Sequence, residues 1–407
     1  MRSLSIKIPN VSESLETKLE ALILGGAFWP DIPIAAERRL AKEFDVSRTS
    51  LRNALSSLLQ RGLLTQIGKR YFATNIMADL LGPGLTQIAE DDPMFLLNYW
   101  VLLFEDALGL ANKKAQDSDR ALIKDAATAL KKTLLGPDVA ALSNSFASLS
   151  RTVFDSCYNF FLSQTHHSLI KAMQPQIRAS LALMLSNPET KQAFLQSVTA
   201  LSHGDFERTD FHAALAKGFV RSDVQTTYVR PDVQTVNATP LVDVVLRNPL
   251  FLEAVYELRL ITERHAAVEA AEHADSNQHK QLLAHLDYMT AIADSAPSQY
   301  SKLDTELHQL IAECTQNPVF SVVDAALGPV FSGTTNQWLK KHRELRSDQS
   351  AIHVQHTQIV KAIVAQDLER AHTTMNEHLA YVLRNLRYLR EQDQLHEIAL
   401  ARRLLRQ

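Results

Sequence analysis

"IPIAAERRLAKEFDVSRTSLRNALSSLLQRGLL" (residues 32–64) decides how the N-terminal end of the chain folds. Apolar residues recur at helical spacing on both sides of a short acidic break. This predicts a helix over 34–43, a tight turn at 44–46 and a second helix over 47–60. Leu40, Ala41, Val46, Leu51, Ala54, Leu55 and Leu58 supply a small core, and Gly62 stops the second helix. Beyond it, "LLTQIG" and "RYFATN" are β-prone and flank Gly68 and Lys69, the pattern of a two-stranded wing. Ahead of it, residues 11–25 read as a helix that Ser12 or Ser14 caps and that Gly25 and Gly26 end.

A helix–turn–helix presents the start of its second helix to the major groove of DNA. Arg48 and Arg52 lie four residues apart on one face, and Thr49 and Ser50 add short donors near the helix N-terminus. Arginine binds phosphate or reaches guanine through a bidentate fork. The plainer reading of the same residues is a small bundle with a solvated basic face. Charge distribution bears on the choice. Residues 1–77 hold 11 Lys+Arg against 7 Asp+Glu, a net +4, whereas the whole chain is at −3 and the remainder therefore at −7. A basic segment on an acidic body suits a polyanionic partner.

These residues resemble the winged-helix domain of the GntR superfamily, in its FadR branch. The resemblance rests on Glu37-Arg38-Arg39-Leu40-Ala41 and on Val46-Ser47-Arg48-Thr49-Ser50-Leu51-Arg52-Asn53-Ala54-Leu55. It implies double-stranded DNA as partner, with Arg38, Arg48, Thr49, Ser50 and Arg52 contacting it and Gly68 and Lys69 at the wing tip. The chain departs from the family pattern at Ala35-Ala36, where Pro-Ser is usual, at Asn53 in place of Glu, and at the apolar Ile67 before Gly68. Those departures bear on which DNA sequence is preferred.

The rest of the chain reads as helices. Of 407 residues 46% are apolar, and only 12 are Gly and 14 Pro, which argues against a β-rich or loop-rich fold. The two cysteines, Cys157 and Cys314, form neither a disulfide framework nor a zinc ribbon. No apolar run is read as membrane-spanning, and "MRSLSIKIPN" lacks the core of a signal peptide, so a cytoplasmic protein with no membrane partner is expected. Pro83, Pro137, Pro175, Pro231 and Pro240 read as breaks between helices, and "VRPDVQTVNATP" (229–240) as a domain boundary.

Internal similarity supports that boundary. Residues 77–115 echo 241–274, with one interior glutamate in each (Glu105, Glu263), and residues 211–224 echo 355–368, pairing His212 with His356 and Asp223 with Asp367. The shift is about 150 residues, the size of a domain. The expected organisation is a winged helix over 1–77, a first bundle over 78–236 and a second over 237–407. The fold class is mainly α, with two all-α antiparallel bundles after the winged helix. Each bundle resembles the FCD domain, the helical ligand-binding bundle that follows the winged helix in FadR-type regulators, and the second over 241–395 is the better match.

Asp304 and His308, four apart, share one helical face in the second bundle, and His356 and His378 each share a face with apolar neighbours. Inward histidines need a partner for each ring nitrogen. They can find one around a divalent cation or through separate hydrogen bonds in the core, and the spacing alone leaves both open. The FCD resemblance implies the cation. Family members hold one metal through an Asp-x3-His helix, a later His, and a His 22 residues beyond, matching Asp304, His308, His356 and His378. One carboxylate and three imidazoles suit Zn, Ni, Fe or Mn. The resemblance also implies a small carboxylate effector at the metal with Arg259 close by, although Arg259 could instead only pair with Glu263.

No such set occurs in the first bundle. Val101 stands near the arginine position, Gln234 stands 22 residues after His212, and His166 and His167 are read as exposed at a helix start. His265, His273, His285, His353 and His372 are read mostly as surface residues. Phe95, Tyr99, Trp100, Phe104, Phe154 and Tyr158 are read as core, and no metal is expected there. The function expected is a DNA-binding transcriptional regulator, a homodimer on a two-fold operator, controlled by a small carboxylate at the metal. The alternatives are a metal-dependent helical enzyme or a metal sensor with the same DNA-binding end. No catalytic residue is assigned, because no further Glu, Lys or Tyr is evident as a general base.

Overall fold

The computed structural model describes residues 11–24, 28, 32–206, 245, 249–292, 297–341 and 349–404. Helix α1 (Val11–Leu24) places Leu15, Leu19 and Ile23 on one buried stripe against α3. Arg61 fastens the far side, reaching Glu16 at 2.9 Å and Glu20 at 2.5 Å. Helix α2 (Glu37–Glu43) buries Leu40 and Ala41. The turn after it uses Asp45 at φ 52°, a left-handed conformation that Asp tolerates.

Helix α3 (Arg48–Gln60) starts at Ser47, whose side chain accepts from Ser50 N–H, and it buries Leu51, Ala54, Leu55 and Leu58. Gly62 at φ 71° ends it, and Leu63 N–H reaches back to Leu58 O at 3.0 Å. Strand β1 (Leu64–Ile67) then pairs antiparallel with β2 (Arg70–Ala73), Ile67 opposite Arg70. Gly68 at φ 63° makes the tip, where an L side chain would be strained. The expected winged helix is therefore formed. Gly25 and Gly26 lie outside the described residues.

Six helices follow: α4 (Ile76–Asp91), α5 (Pro93–Lys114), α6 (Asp117–Leu134), α7 (Val139–Asp155), α8 (Phe160–Ser186) and α9 (Pro188–Ser202). Several starts are set by side-chain caps, among them Asn75, Asp92, Asp138 and Asn187. Six more make a second bundle: α10 (Pro249–His273), α11 (Ser276–Ile292), α12 (Pro297–Cys314), α13 (Pro318–Lys341), α14 (Gln349–Val364) and α15 (Leu368–Leu404). The proposed boundary at 229–240, with Pro231 and Pro240, lies outside the described residues, as do His212, Asp223 and Gln234.

Two readings of proline are corrected. Pro83 lies inside α4 and Pro175 inside α8. Proline removes one backbone hydrogen bond, and long helices packed along their length carry that loss. Pro137 does fall between helices, ahead of the Asp138 cap. Helix α5 also corrects the reading that no run is long and apolar enough to cross a membrane, for by length and composition it is. In the fold it is a core helix that buries Leu96, Leu97, Tyr99, Trp100, Leu103, Phe104 and Leu108.

The two bundles pack against each other within the chain. Helices α5 and α10 run antiparallel: Asp106 pairs with Arg264 and, at 2.6 Å, with His265, while Lys114 pairs with Glu257 at 2.7 Å. Phe160 and Phe161 both meet Phe251 at 5.3 Å between ring centroids, and Tyr99 meets Phe320 edge-on at 4.9 Å. Such ring pairs each contribute roughly 0.5–1.5 kcal/mol beyond their buried area. Helix α4 touches α8 and α5 of the first bundle and α13 of the second. A Cβ added at Gly84 would stand 2.9 Å from both methyls of Val322, so the close approach of α4 and α13 depends on a residue without one. At the junction behind β2, Gln164 of α8 donates to Thr74 O at 2.9 Å and accepts from Met77 N–H at 3.4 Å.

Candidate metal centre and nucleic-acid interface

Helix α12 carries Asp304 and His308 one turn apart, α14 supplies His356 and α15 His378. One ligand atom from each of the four lies within 4.8 Å of every other. The three imidazole centroids are 4.6–5.5 Å apart. All three histidines are at most 3% exposed.

Each imidazole has a polar group near its Nδ1, hydrogen-bonded for His378 and His356 and at ion-pair distance for His308. His308 Nδ1 is 2.6 Å from Glu263 Oε2, His378 Nδ1 is 3.0 Å from Gln355 Oε1, and His356 Nδ1 is 3.4 Å from the Tyr300 hydroxyl. That leaves Nε2 as the free nitrogen of each ring. His356 Nε2 lies 3.1 Å from Asp304 Oδ1, yet neither it nor His308 Nε2 has a hydrogen-bond partner although both are buried. Burial holds His378 well below the ordinary histidine pKa. It also lowers His356, against the opposing pull of Asp304. Both rings are therefore neutral near pH 7, the form that binds metal. Burial would raise the Asp304 carboxyl, but His356 and the neighbouring positive groups hold it well below the carboxylate range. Buried, unpartnered imidazole nitrogens beside an ionised carboxylate are the donor set a divalent transition metal takes, so the residues present fit such an ion.

Around this set lies a second layer of charge. Arg259 is 3% exposed, its Nε donates to Glu263 Oε1 at 2.6 Å, and its guanidinium lies 4.3 Å from the Phe331 ring centroid. Thus Arg259 pairs with Glu263, the alternative that the sequence reading left open. Burial and Glu263 push Asp324, on α13, up to about 7. Asp324 lines a small cavity with Thr262, Glu263, His308, Phe320 and Met375. Sequence reasoning missed Glu263, Tyr300, Asp324 and Gln355 as parts of the site. The one available signal was Glu263 four residues after Arg259, and it read as an ordinary helical ion pair.

The first bundle holds a different centre. His166 is 3% exposed and not at the surface, which overturns its reading as an exposed residue. Trp100 Nε1–H donates to His166 Nδ1 at 3.0 Å, and Phe154 stacks on the ring at 4.1 Å. It sits within α8, where both neighbouring turns are buried, and burial drives its pKa well below the ordinary value. Glu105, matched with Glu263 by sequence, is exposed, because α5 turns its apolar face to the core. His265 also is no surface residue, since Asp106 holds it between the bundles.

On the winged helix, Arg48 and Arg52 are 62% and 60% exposed on the outer face of α3. Glu37 of α2 gathers them, at 2.9 Å from Arg52 Nε and 3.9 Å from Arg48. Arg38, Thr49, Gly68 and Lys69 are exposed on the same domain. Ser50 is partly buried and its hydroxyl lies 2.9 Å from that of Ser47, so it serves the helix cap. Arg70, not singled out from sequence, is exposed on the wing beside Lys69.

Two family descriptions match the chain. "Bacterial regulatory proteins, gntR family" covers residues 11–71, and "FCD domain" covers 254–381, which includes Arg259, Glu263 and all four clustered residues. The chain joins a GntR-family winged helix to an FCD domain. Among curated proteins, it is 34% identical over 82 residues to the HTH-type transcriptional repressor NagR of Bacillus subtilis, which is 20% of this chain and 32% of that protein. It is 32% identical over 130 residues to the HTH-type transcriptional repressor NanR of Cronobacter sakazakii, 30% of this chain and 46% of NanR. The matches thus span between a third and a half of these relatives. The solved structure of E. coli McbR/YncC matches 51% of this chain and 93% of its own, at 18% identity and a TM-score of 0.23. The FCD match falls entirely within the second bundle.

Proposed function

We propose that this GntR–FCD chain is a DNA-binding transcriptional regulator whose operator affinity is set by a small carboxylate bound at a divalent metal in the second bundle. The observation that carries this reading is the buried convergence of Asp304, His308, His356 and His378, with Nε2 of His308 and Nε2 of His356 left without hydrogen bonds. Zinc, nickel, iron or manganese suits the donors. The ion would supply vacant coordination positions to the acid's carboxylate. Arg259 would meet the same carboxylate while Glu263 holds its Nε.

Operator contact is assigned to Arg38, Arg48, Thr49, Ser50, Arg52, Gly68 and Lys69. Arg48 and Arg52 would exchange Glu37 for phosphate or guanine. The domains are assigned as 1–77, 78–236 and 237–407, the middle one a degenerate copy of the last. In support, residues 77–115 echo residues 241–274 in sequence. A DNA partner places the protein in the cytoplasm. A homodimer would bring two recognition helices to a two-fold site, each chain contributing its own pair of bundles.

The test begins with elemental analysis of the purified full chain. An operator is then selected from random duplex, and binding is followed by fluorescence anisotropy while chelator, metal and a panel of small acids are added in turn. A metal-dependent shift of operator affinity by one class of acid is the expected result. Response to metal with no response to any acid would replace this reading with a metal sensor, and failure to select any duplex would overturn it.

A further inference from the structure

Among the residues behind the cluster, Glu263 has the most constrained surroundings. It sits on α10 at 6% exposure, deep in the second bundle. Its two carboxylate oxygens face two different donors: Oε1 takes Arg259 Nε at 2.6 Å, and Oε2 lies 2.6 Å from His308 Nδ1. Glu263 Oε2 and His308 Nδ1 meet at ion-pair distance, and neither atom makes a hydrogen bond to any group of the protein. Arg259 is held in turn between Glu263 and the faces of Phe331 and Tyr256. The three side chains form one buried row: guanidinium, carboxylate, imidazole.

We infer that Glu263 is the positioning residue of the site, fixing His308 with Nε2 toward the cation while its other oxygen holds Arg259. This rests on the metal reading of the cluster given above. Only a carboxylate can do both jobs. It offers two acceptor oxygens in a rigid plane, and the two groups it faces are both donors. An amide would turn one donor toward a donor. A buried glutamate in place of an apolar residue also costs desolvation, which a merely structural ion pair does not recover. A carboxylate behind a metal-bound imidazole fixes its tautomer and raises its basicity, and loss of such a partner typically costs 10- to 100-fold in metal affinity.

The test uses the full chain and Co2+ as the probe, because its visible absorption reports coordination by imidazole and carboxylate. Apo protein is titrated with Co2+ under competition from a chelator of known affinity. Glu263→Gln is expected to bind Co2+ about 10- to 100-fold more weakly, with a shifted absorption band. That variant leaves Arg259 buried without its counter-ion and can fail to fold. The double variant Arg259→Met with Glu263→Met removes both charges at similar volume, so it keeps the bundle intact. It is expected to show the same loss of Co2+ affinity and the same altered band. Wild-type affinity and an unchanged band in the folded double variant would overturn the role of Glu263. If wild-type protein takes up no Co2+ at all, the metal reading fails first, and this inference with it.

Discussion

Both bundles bury a histidine at their centre, but the two centres are finished in opposite ways. In the first, His166 takes a hydrogen bond from Trp100 and stacks on Phe154, and Phe104 and Phe146 close around Trp100. In the second, three imidazoles and a carboxylate converge, and Nε2 of His308 and of His356 makes no hydrogen bond. A buried histidine is therefore no sign of a site. What separates the two is whether the polar atoms are used up inside the protein, since an unpaired buried donor or acceptor costs about 1–3 kcal/mol. The His166 ring is bonded and stacked within the first bundle, whereas His308 and His356 in the second each keep Nε2 without a hydrogen bond.

The sharpest way to break this contrast is to delete a ligand. His356→Ala should lower metal affinity by more than about 100-fold, beyond what loss of an outer partner costs. Elemental analysis after dialysis against metal reads this directly, and full retention of metal would erase the distinction between the bundles.

Next comes the seam between them. Asp106→Ala leaves Arg264 and His265 without their shared carboxylate, at a site about four-fifths shielded from solvent. Fully buried pairs lose 3–5 kcal/mol when one partner is removed, so a partly shielded one should lose about 2 kcal/mol, read by urea unfolding. The same variant has a pH signature. Burial tends to raise the Asp106 carboxyl, but His265 and Arg264 outweigh it and hold the pKa low. A carboxyl depressed in the folded state contributes stability above the unfolded pKa near 4, and loses it as pH falls through the folded value. The stability gap between wild type and Asp106→Ala should therefore be full at pH 6 and shrink below about pH 4.

The smallest effect belongs to the first bundle's own centre. His166→Phe keeps the stack on Phe154 but strands the Trp100 N–H, and should cost about 1–2 kcal/mol. Metal content and Co2+ absorption should not change. A fall in metal content with this variant would mean that the two centres are not independent.

The fold at the N-terminal end was legible because each local signal agreed with the next. Ser47 caps α3, Gly62 ends it and Gly68 turns the wing, as the residue types dictate. Helix faces marked Asp304, His308, His356 and His378 as inward, but it was the FCD resemblance that grouped them as one set. Their outer partners could not be picked out. Gln355, Tyr300 and Glu263 approach from three different helices, and only packing decides which of many polar residues arrive. The error at His166 has the same origin. The apolar stripe of Leu162, Leu169 and Met173 does mark its face, but "HH" reads as a helix start, and the partner that buries the ring, Trp100, is 66 residues away. Pro83 and Pro175 were misplaced because tertiary contact outweighs a local breaker.

Gln164 moors the strand–helix junction behind the wing from the first bundle, with one hydrogen bond to Thr74 and one to Met77. The first bundle thus holds the winged helix directly, and the second reaches it through the shared helix α4 and the antiparallel α5–α10 pair. Under the function proposed above, a message from a bound acid would have to be relayed mechanically across that internal joint. Its compliance, more than the chemistry at the cation, would then govern how large a response the chain delivers.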